Sequence, residues 1–530
     1  SASSSSQQQQ QQQPPPPPPA RKRKRRSSFL STFFATRVPW RGRVLFLALV
    51  VGLGCGVIAA GYEYVLDIVI ERTWLGLAPQ LARALEPYGV PPWLVVPCIC
   101  TAFGGVVGAL IHLLGEPLAN LPGVVMAAHR DGLLDHEEAP AMAAISIVSI
   151  AGAGSLGPEA PLIAIGGGLA SFLSLYVDLS EAETLFVTMC GMGAGLAAFF
   201  GEPIGGALFA CEVLHRHGLE YYEAVVPTVV AGLACNWSFR ILSNLPQEAI
   251  WTFAAEEPLE PWTSVLGLVW GVLGGGLGWC WMRGTRFLRS RVVAPCGLGP
   301  RHIVKGLLGG LLIGSIGAIH PETLFWGEFE AQRIISRGEA PLPHAWPTVG
   351  ALGAYSLEEP LVLLSIGLFK LLAISITVLA GHRGGFIFPF MFAGLSIGSA
   401  VAIAANATRG PLHDLLSPAA AALSCACAIN VACTRTVLAT PIVLSALSGR
   451  PDMLPTLLVA SLTALYVAGD ETVIVAARKR WLRTELDGCE ILEDPTPPMA
   501  RSRPRVRPSR ISTPGAGGAA APSWVNPCLL

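Results

Sequence analysis

One carboxylate stands where apolar residues surround it. Gly152 to Gly168 reads Gly-Ala-Gly-Ser-Leu-Gly-Pro-Glu-Ala-Pro-Leu-Ile-Ala-Ile-Gly-Gly-Gly, with Glu159 directly after the Gly157-Pro158 break. A second break follows the Leu361–Ala380 apolar segment, in Gly381-His382-Arg383-Gly384-Gly385-Phe386-Ile387-Phe388-Pro389. The first turn of a helix leaves backbone N–H groups without intrahelical partners and carries roughly half a positive charge. Two such ends aimed at one dehydrated cavity could hold an anion with backbone alone, needing no Arg or Lys. Gly157 and Gly384-Gly385 permit close approach, while Pro158, Pro161 and Pro389 sit where a missing N–H costs little. Glu159 would then compete with the anion as an internal plug, released by protonation. The alternative is that Glu159 merely caps helical N–H groups. An ionisable group inside a membrane segment points by default to function.

The elements that must position these residues are membrane helices. Of 530 residues, 52% are hydrophobic and 14% charged, against about 25% charged in soluble domains, and the mean hydropathy is +0.53. Apolar stretches recur from Val44 to Ala477, many long enough to cross about 30 Å of hydrocarbon as helix. The 58 glycines and 43 prolines indicate broken or closely packed helices. Several segments are too short to cross alone, and each half carries one Gly/Pro-interrupted apolar pair. Paired breaks of this kind predict an inverted repeat with a site near the midplane. The expected fold is thus an all-α polytopic membrane protein built from broken helices.

Residues 43–480 form the expected transmembrane domain, its halves at about 43–243 and 262–480. Residues 1–42 read as a low-complexity and basic tail and 481–530 as a Pro/Arg-rich one, both disordered by composition. No acidic residue precedes Glu63, and the basic runs at Arg21–Arg26 and Arg478–Arg483 flank the apolar region. Both termini are therefore expected in the cytoplasm, or the stroma if the membrane is organellar. Those basic residues suit a lipid surface better than nucleic acid. The 13 cysteines include Cys98/Cys100 and Cys425/Cys427, a Cys-x-Cys spacing unsuited to zinc, and no metal, cofactor or enzymatic activity is expected.

These motifs resemble the CLC chloride channels and proton-coupled chloride exchangers over roughly Val44 to Arg478, in particular a divergent plant and algal branch. Gly157-Pro158-Glu159-Ala160-Pro161 is similar to the family's Gly-Lys/Arg-Glu-Gly-Pro signature, with Glu159 at the gating glutamate. Gly385-Phe386-Ile387-Phe388-Pro389 resembles Gly-x-Phe-x-Pro, its phenylalanine position falling on Ile387. Gly195 to Glu212 resembles the stretch between them. The resemblance implies a chloride (anion) channel gated by voltage or pH, a homodimer with one pore per subunit, and anion contacts from Gly157, Pro158, Ala160, Pro161 and Gly385–Pro389.

It also marks departures. The family's ion-contacting serine motif corresponds to Leu118-Ala119-Asn120-Leu121-Pro122, with Ala119 and Asn120 in place of the hydroxyl. The late pore-lining tyrosine falls near Val473. Pro158 removes the basic residue before the gate. The exchangers' inner proton-transfer glutamate falls on Val213, as in channel members, although some exchangers also lack the acid. Glu212 and Glu202 remain as candidate proton-path residues, Glu212 also suiting a structural role. Lys370 either raises the potential for anions or serves as a buried partner to a carboxylate or backbone carbonyls. Residues 481–530 are expected to hold no counterpart of the paired nucleotide-binding modules of many eukaryotic members. A chloride/proton antiporter, a carrier of fluoride or nitrate, and a non-conducting scaffold or sensor of the same fold are the competing functions.

Overall fold

The computed structural model describes residues 40–115, 133–214, 222–246, 248–253, 261–298, 301–407, 417–469 and 471–473. Ala119 and Asn120 lie outside them, as do residues 1–39 and 474–530; residues 40–42, expected in the N-terminal tail, instead begin the first helix.

Sixteen α-helices account for most of these residues. The first half holds α1 (Trp40–Ile70), α2 (Ala78–Leu85), α3 (Val95–Leu114), α4 (Ala139–Ala151), α5 (Glu159–Ser174), α6 (Glu181–Phe200), α7 (Pro203–Leu214) and α8 (Tyr222–Ser243). The second holds α9 (Gly267–Leu288), α10 (His302–Ile319), α11 (Glu328–Ile335), α12 (Pro360–Ala380), α13 (Ile387–Ala407), α14 (Pro418–Thr434), α15 (Ala439–Leu447) and α16 (Leu454–Ala468). Among the described residues, nine helical stretches are long and apolar enough to cross a membrane. By contrast α4, α5, α7 and α14 are apolar but shorter. At 1.5 Å per residue, the 16 residues of α5 reach only about 24 Å. Such a helix can end inside the membrane only where protein or a polar cavity meets its exposed backbone.

The repeat is visible in which helices are neighbours. α1 packs on α8 as α9 packs on α16, α5 on α6 as α13 on α14, and α6 on α8 as α14 on α16. Two contacts join the halves through equivalent elements, α3 against α10 and α7 against α15. The α3–α10 seam depends on glycine: a methyl on Gly104 would overlap the Gly306 carbonyl, and one on Gly310 the Cys100 carbonyl. In hydrocarbon, where apolar side chains gain little by leaving lipid, this backbone-to-backbone approach is the main source of helix attraction.

The two breaks are built alike. α4 ends with Ala153 in the left-handed region (φ 59), and Gly154 N–H reaches back to the Ser149 carbonyl at 3.1 Å. α12 ends with Gly381 (φ 89), and His382 N–H reaches back to the Thr377 carbonyl at 3.2 Å. Both are Schellman-type terminations, which satisfy the last carbonyls and turn the chain sharply. Each terminating loop is then tied to the opposite helix: Thr377 Oγ1 accepts from Ser155 N–H at 3.2 Å, and Ser149 Oγ accepts from Arg383 N–H at 3.0 Å. Ser149 and Thr377 hold the same place in the two halves, as do Ser155 and Arg383.

Candidate functional site

The loops meet at Gly157 and Gly385. Gly157 N–H donates to the Gly385 carbonyl at 2.7 Å, and Gly385 N–H donates to the Gly157 carbonyl at 2.6 Å, forming an isolated antiparallel bridge. Just beyond it, α5 starts at Glu159 after Pro158, and α13 starts at Ile387. The equivalent of Glu159 in the second half is therefore Ile387, and the equivalent of Pro161 is Pro389. Two helix N-termini face one another across a two-residue bridge, as the paired breaks in the sequence anticipate.

Glu159 fills the space between them. It has no exposed surface; its Oε1 accepts the Phe388 N–H at 2.9 Å, while its Oε2 is buried without a hydrogen-bond partner. The carboxylate of one broken helix thus occupies an N-terminal donor of the other, a position whose exposed N–H groups suit an anion. A methyl added to Gly157 or Gly385 would overlap Glu159 Oε2, so both glycines are required by the carboxylate as much as by the turn. An anionic carboxylate left half-bonded in a dry site is costly, and this makes its position sensitive to whether it carries a proton.

The other expected site residues are distributed as follows. Gly157, Pro158, Ala160, Pro161, Gly385, Phe386, Ile387, Phe388 and Pro389 all line this junction and are buried. Val473 is buried, its N–H donating to the Cys433 carbonyl at 3.1 Å. Glu212 lies at the end of α7 and accepts from Leu438 N–H at 2.8 Å and Ala439 N–H at 3.0 Å. Its carboxylate thereby caps α15. Glu202 accepts from Ile204 N–H at 3.1 Å and caps the start of α7. Lys370 lies on α12, fully buried, and donates to the carbonyls of Thr323, Leu324 and Phe325 at 3.0, 3.2 and 2.8 Å. Its ammonium also sits 4.9 Å from the Phe392 ring centroid. Of the two readings open for Lys370, the geometry favours the buried partner, with its ammonium on three backbone carbonyls and within electrostatic reach of the Glu330 carboxylate.

Sequence reasoning missed the aromatic wall. Phe388 packs against Phe199 (ring centroids 4.9 Å apart), Phe200 (5.8 Å) and Trp251 (5.8 Å). It also missed α1, which passes beside Glu159: Tyr62 lies within electrostatic reach of that carboxylate, its hydroxyl 2.9 Å from Ser146 Oγ. The only advance signal was a Tyr-Glu pair, Tyr62-Glu63, inside an otherwise apolar segment.

The helical repeat, the paired breaks and the buried carboxylate at their junction define an ion-transport fold. A family model described as "Voltage gated chloride channel" matches residues 103–469, and the chain belongs to that family. It is 25% identical over 367 residues to "Chloride channel protein CLC-f" of Arabidopsis thaliana, covering 68% of this chain and 45% of that protein. The aligned part therefore spans less than half of that relative. It is 24% identical over 395 residues to "Chloride/fluoride channel protein" of Pseudomonas syringae, covering 73% of this chain and 79% of the relative. The fold matches a solved "slow cyanobacterial Cl-/H+ antiporter" with a TM-score of 0.65 at 21% identity, over 84% of this chain and 99% of that one. The protein is an integral membrane protein of the CLC family, a chloride channel or transporter.

Proposed function

We propose that this chain is an anion channel, carrying chloride or a related anion, in which Glu159 is the gate. The observation that carries this reading is the division of labour on one carboxylate: Oε1 takes the Phe388 N–H and Oε2 takes nothing. Deprotonated, Glu159 occupies the donors of α13. Protonated, it loses its charge and with it most of its advantage over chloride at those N–H groups. The junction residues Gly157, Pro158, Ala160, Pro161 and Gly385–Pro389 then cradle the anion, with Asn120, Ala119 and Val473 in the further contacts that the family resemblance implies. Residues 43–480 form the pore-bearing domain, with both termini on the cytoplasmic or stromal side and two subunits per assembly, one pore each. Because moving Glu159 moves charge within the membrane, the same gate responds to voltage.

A chloride/proton antiporter is the second reading, favoured by the cyanobacterial structure of the same fold being a Cl-/H+ antiporter. Chloride efflux from proteoliposomes with simultaneous pH recording separates the two. Efflux without stoichiometric proton movement supports the channel, and coupled proton uptake supports the antiporter. Absence of any anion flux from folded protein contradicts both and favours a scaffold.

A further inference from the structure

A gate that works by protonation needs a proton supply, and Glu159 has no exposed surface. The position following Glu212 is Val213, which carries no acid, and Glu212 itself is committed to the N-terminus of α15. A different row of acids leads to the gate. Glu63, Asp67 and Glu71 recur four residues apart on α1 and the turn that continues it, and so share one face. Glu71 is exposed, Asp67 and Glu63 are half-buried. Asp67 lies within electrostatic reach of Glu71, and Glu63 of Asp67. Glu328, at the start of α11, lies within reach of both Glu63 and Glu159.

Geometry fixes the middle member. Trp326 Nε1 donates to Glu328 Oε2 at 2.8 Å, and Trp251 Nε1 donates to the Glu328 carbonyl at 2.9 Å. The Trp251 ring packs edge-on against Phe388, the residue whose N–H holds Glu159. Glu328 is thereby braced to the element that holds the gate. Both of the carboxylates within its reach carry an unsatisfied acceptor: Glu63 Oε2 and Glu159 Oε2 are buried without a hydrogen-bond partner. Glu330 also faces this group, with both carboxylate oxygens unpartnered, and Lys370 faces Glu330. Glu63 and Glu328 are partly exposed and Glu159 and Glu330 are buried, and like charges that Glu328 couples in this way oppose one another's ionisation, so protons reside among them.

We infer that Glu328 is a proton-relay residue, passing protons between Glu159 and the Glu63–Asp67–Glu71 edge of α1. The inference rests on the reading of Glu159 as the gate. In the transfer an O–H bond on Glu328 breaks as one forms on Glu159 Oε2, directly or through a bridging water. Glu159 becomes neutral, and Glu328 stays anionic until Glu63, recharged from water through Asp67 and Glu71, returns a proton. Withdrawal from water pushes the Glu328 carboxyl up to about 8, the charges of Glu63, Glu330 and Glu159 acting in the same direction against the Trp326 hydrogen bond. A carboxyl group raised in this direction holds a proton more firmly than a free one and can still pass it on, as a relay must.

The test uses the full chain in proteoliposomes, recording chloride efflux and internal pH after an imposed pH step. Wild type is compared with Glu328→Gln, Glu63→Gln, Glu328→Asp and Glu159→Gln. Glu328→Gln and Glu63→Gln are expected to slow the response of efflux to pH, and any proton movement, by about tenfold or more, while chloride still passes. Glu328→Asp, which keeps a carboxyl group, is expected to restore part of the response. If Glu159→Gln abolishes the response but Glu328→Gln and Glu63→Gln behave as wild type, the relay is overturned and the gate stands. If Glu159→Gln itself behaves as wild type, the gate reading fails. Should Glu328→Gln not reconstitute, Glu63→Gln decides alone, a wild-type response there overturning the relay.

Discussion

Gly157 and Gly385, which stand at the same place in the two halves of the chain, each donate a backbone hydrogen bond to the other's carbonyl, at 2.7 and 2.6 Å. The bridge holds two helix N-termini a fixed distance apart and leaves between them the space that Glu159 occupies. Any side chain on either glycine would overlap Glu159 Oε2. Gly385→Ala is therefore expected to destabilise the protein by about 1–3 kcal/mol and to displace the carboxylate from Phe388. In a Glu159→Ala background the overlap with the carboxylate is removed, leaving a tight 3.0 Å approach to the Ala160 nitrogen, and the same substitution should be better tolerated. Thermal unfolding of the two single variants and the double variant measures this coupling; strictly additive effects would contradict it.

Ala153 occupies a left-handed conformation (φ 59) at the position where the second half has Gly381. A non-glycine residue there stores strain. Ala153→Gly is expected to stabilise the fold by about 1 kcal/mol, the relief of strain outweighing the added freedom of the unfolded chain. A rise in midpoint temperature with unchanged chloride flux checks it.

Lys370 gathers three buried carbonyls from Thr323-Leu324-Phe325 and faces Glu330. Lys370→Met would leave those carbonyls and that carboxyl group unpaired, at about 1–3 kcal/mol for each buried polar group left unsatisfied. Loss of folded protein, seen as aggregation on size-exclusion chromatography, is the expected result. A normally folded Lys370→Met protein would show that the ammonium is dispensable to this loop.

His344 sits among Phe325, Trp326 and Phe329, in the segment joining α11 to α12, with both ring nitrogens buried and unpartnered. Burial holds its pKa down to about 4. The unfolded chain therefore binds the proton more readily than the native one between about 6.5 and about 4. Stability from this site is full above that window and is lost as pH falls through it. Unfolding followed from pH 7 to 4 should show less acid destabilisation in His344→Phe than in wild type.

Much of this was legible in the sequence, for identifiable reasons. Gly157-Pro158 and Gly384 to Pro389 were readable as helix starts because Gly and Pro act through local backbone geometry. Glu159 was readable because a lone carboxylate in an apolar run is conspicuous. Phe199, Phe200, Trp251 and Tyr62 were not, since an aromatic residue in a membrane helix gives no sign of which neighbour it meets. Glu328 lies well over a hundred residues from Glu159, and only the fold brings them together. Lys370 was equally conspicuous, yet nothing local separates a cation facing an anion path from one holding carbonyls.

In this mechanism Glu159 is a movable anionic plug on the Phe388 N–H. The most direct test of that role is chloride efflux from proteoliposomes across pH 4.5–8 (roughly the range spanning the ordinary carboxylate value and neutrality), wild type beside Glu159→Gln. The gate predicts efflux in wild type that rises as pH falls, and efflux in Glu159→Gln that persists and no longer depends on pH. Efflux with the wild-type pH dependence in Glu159→Gln would contradict it.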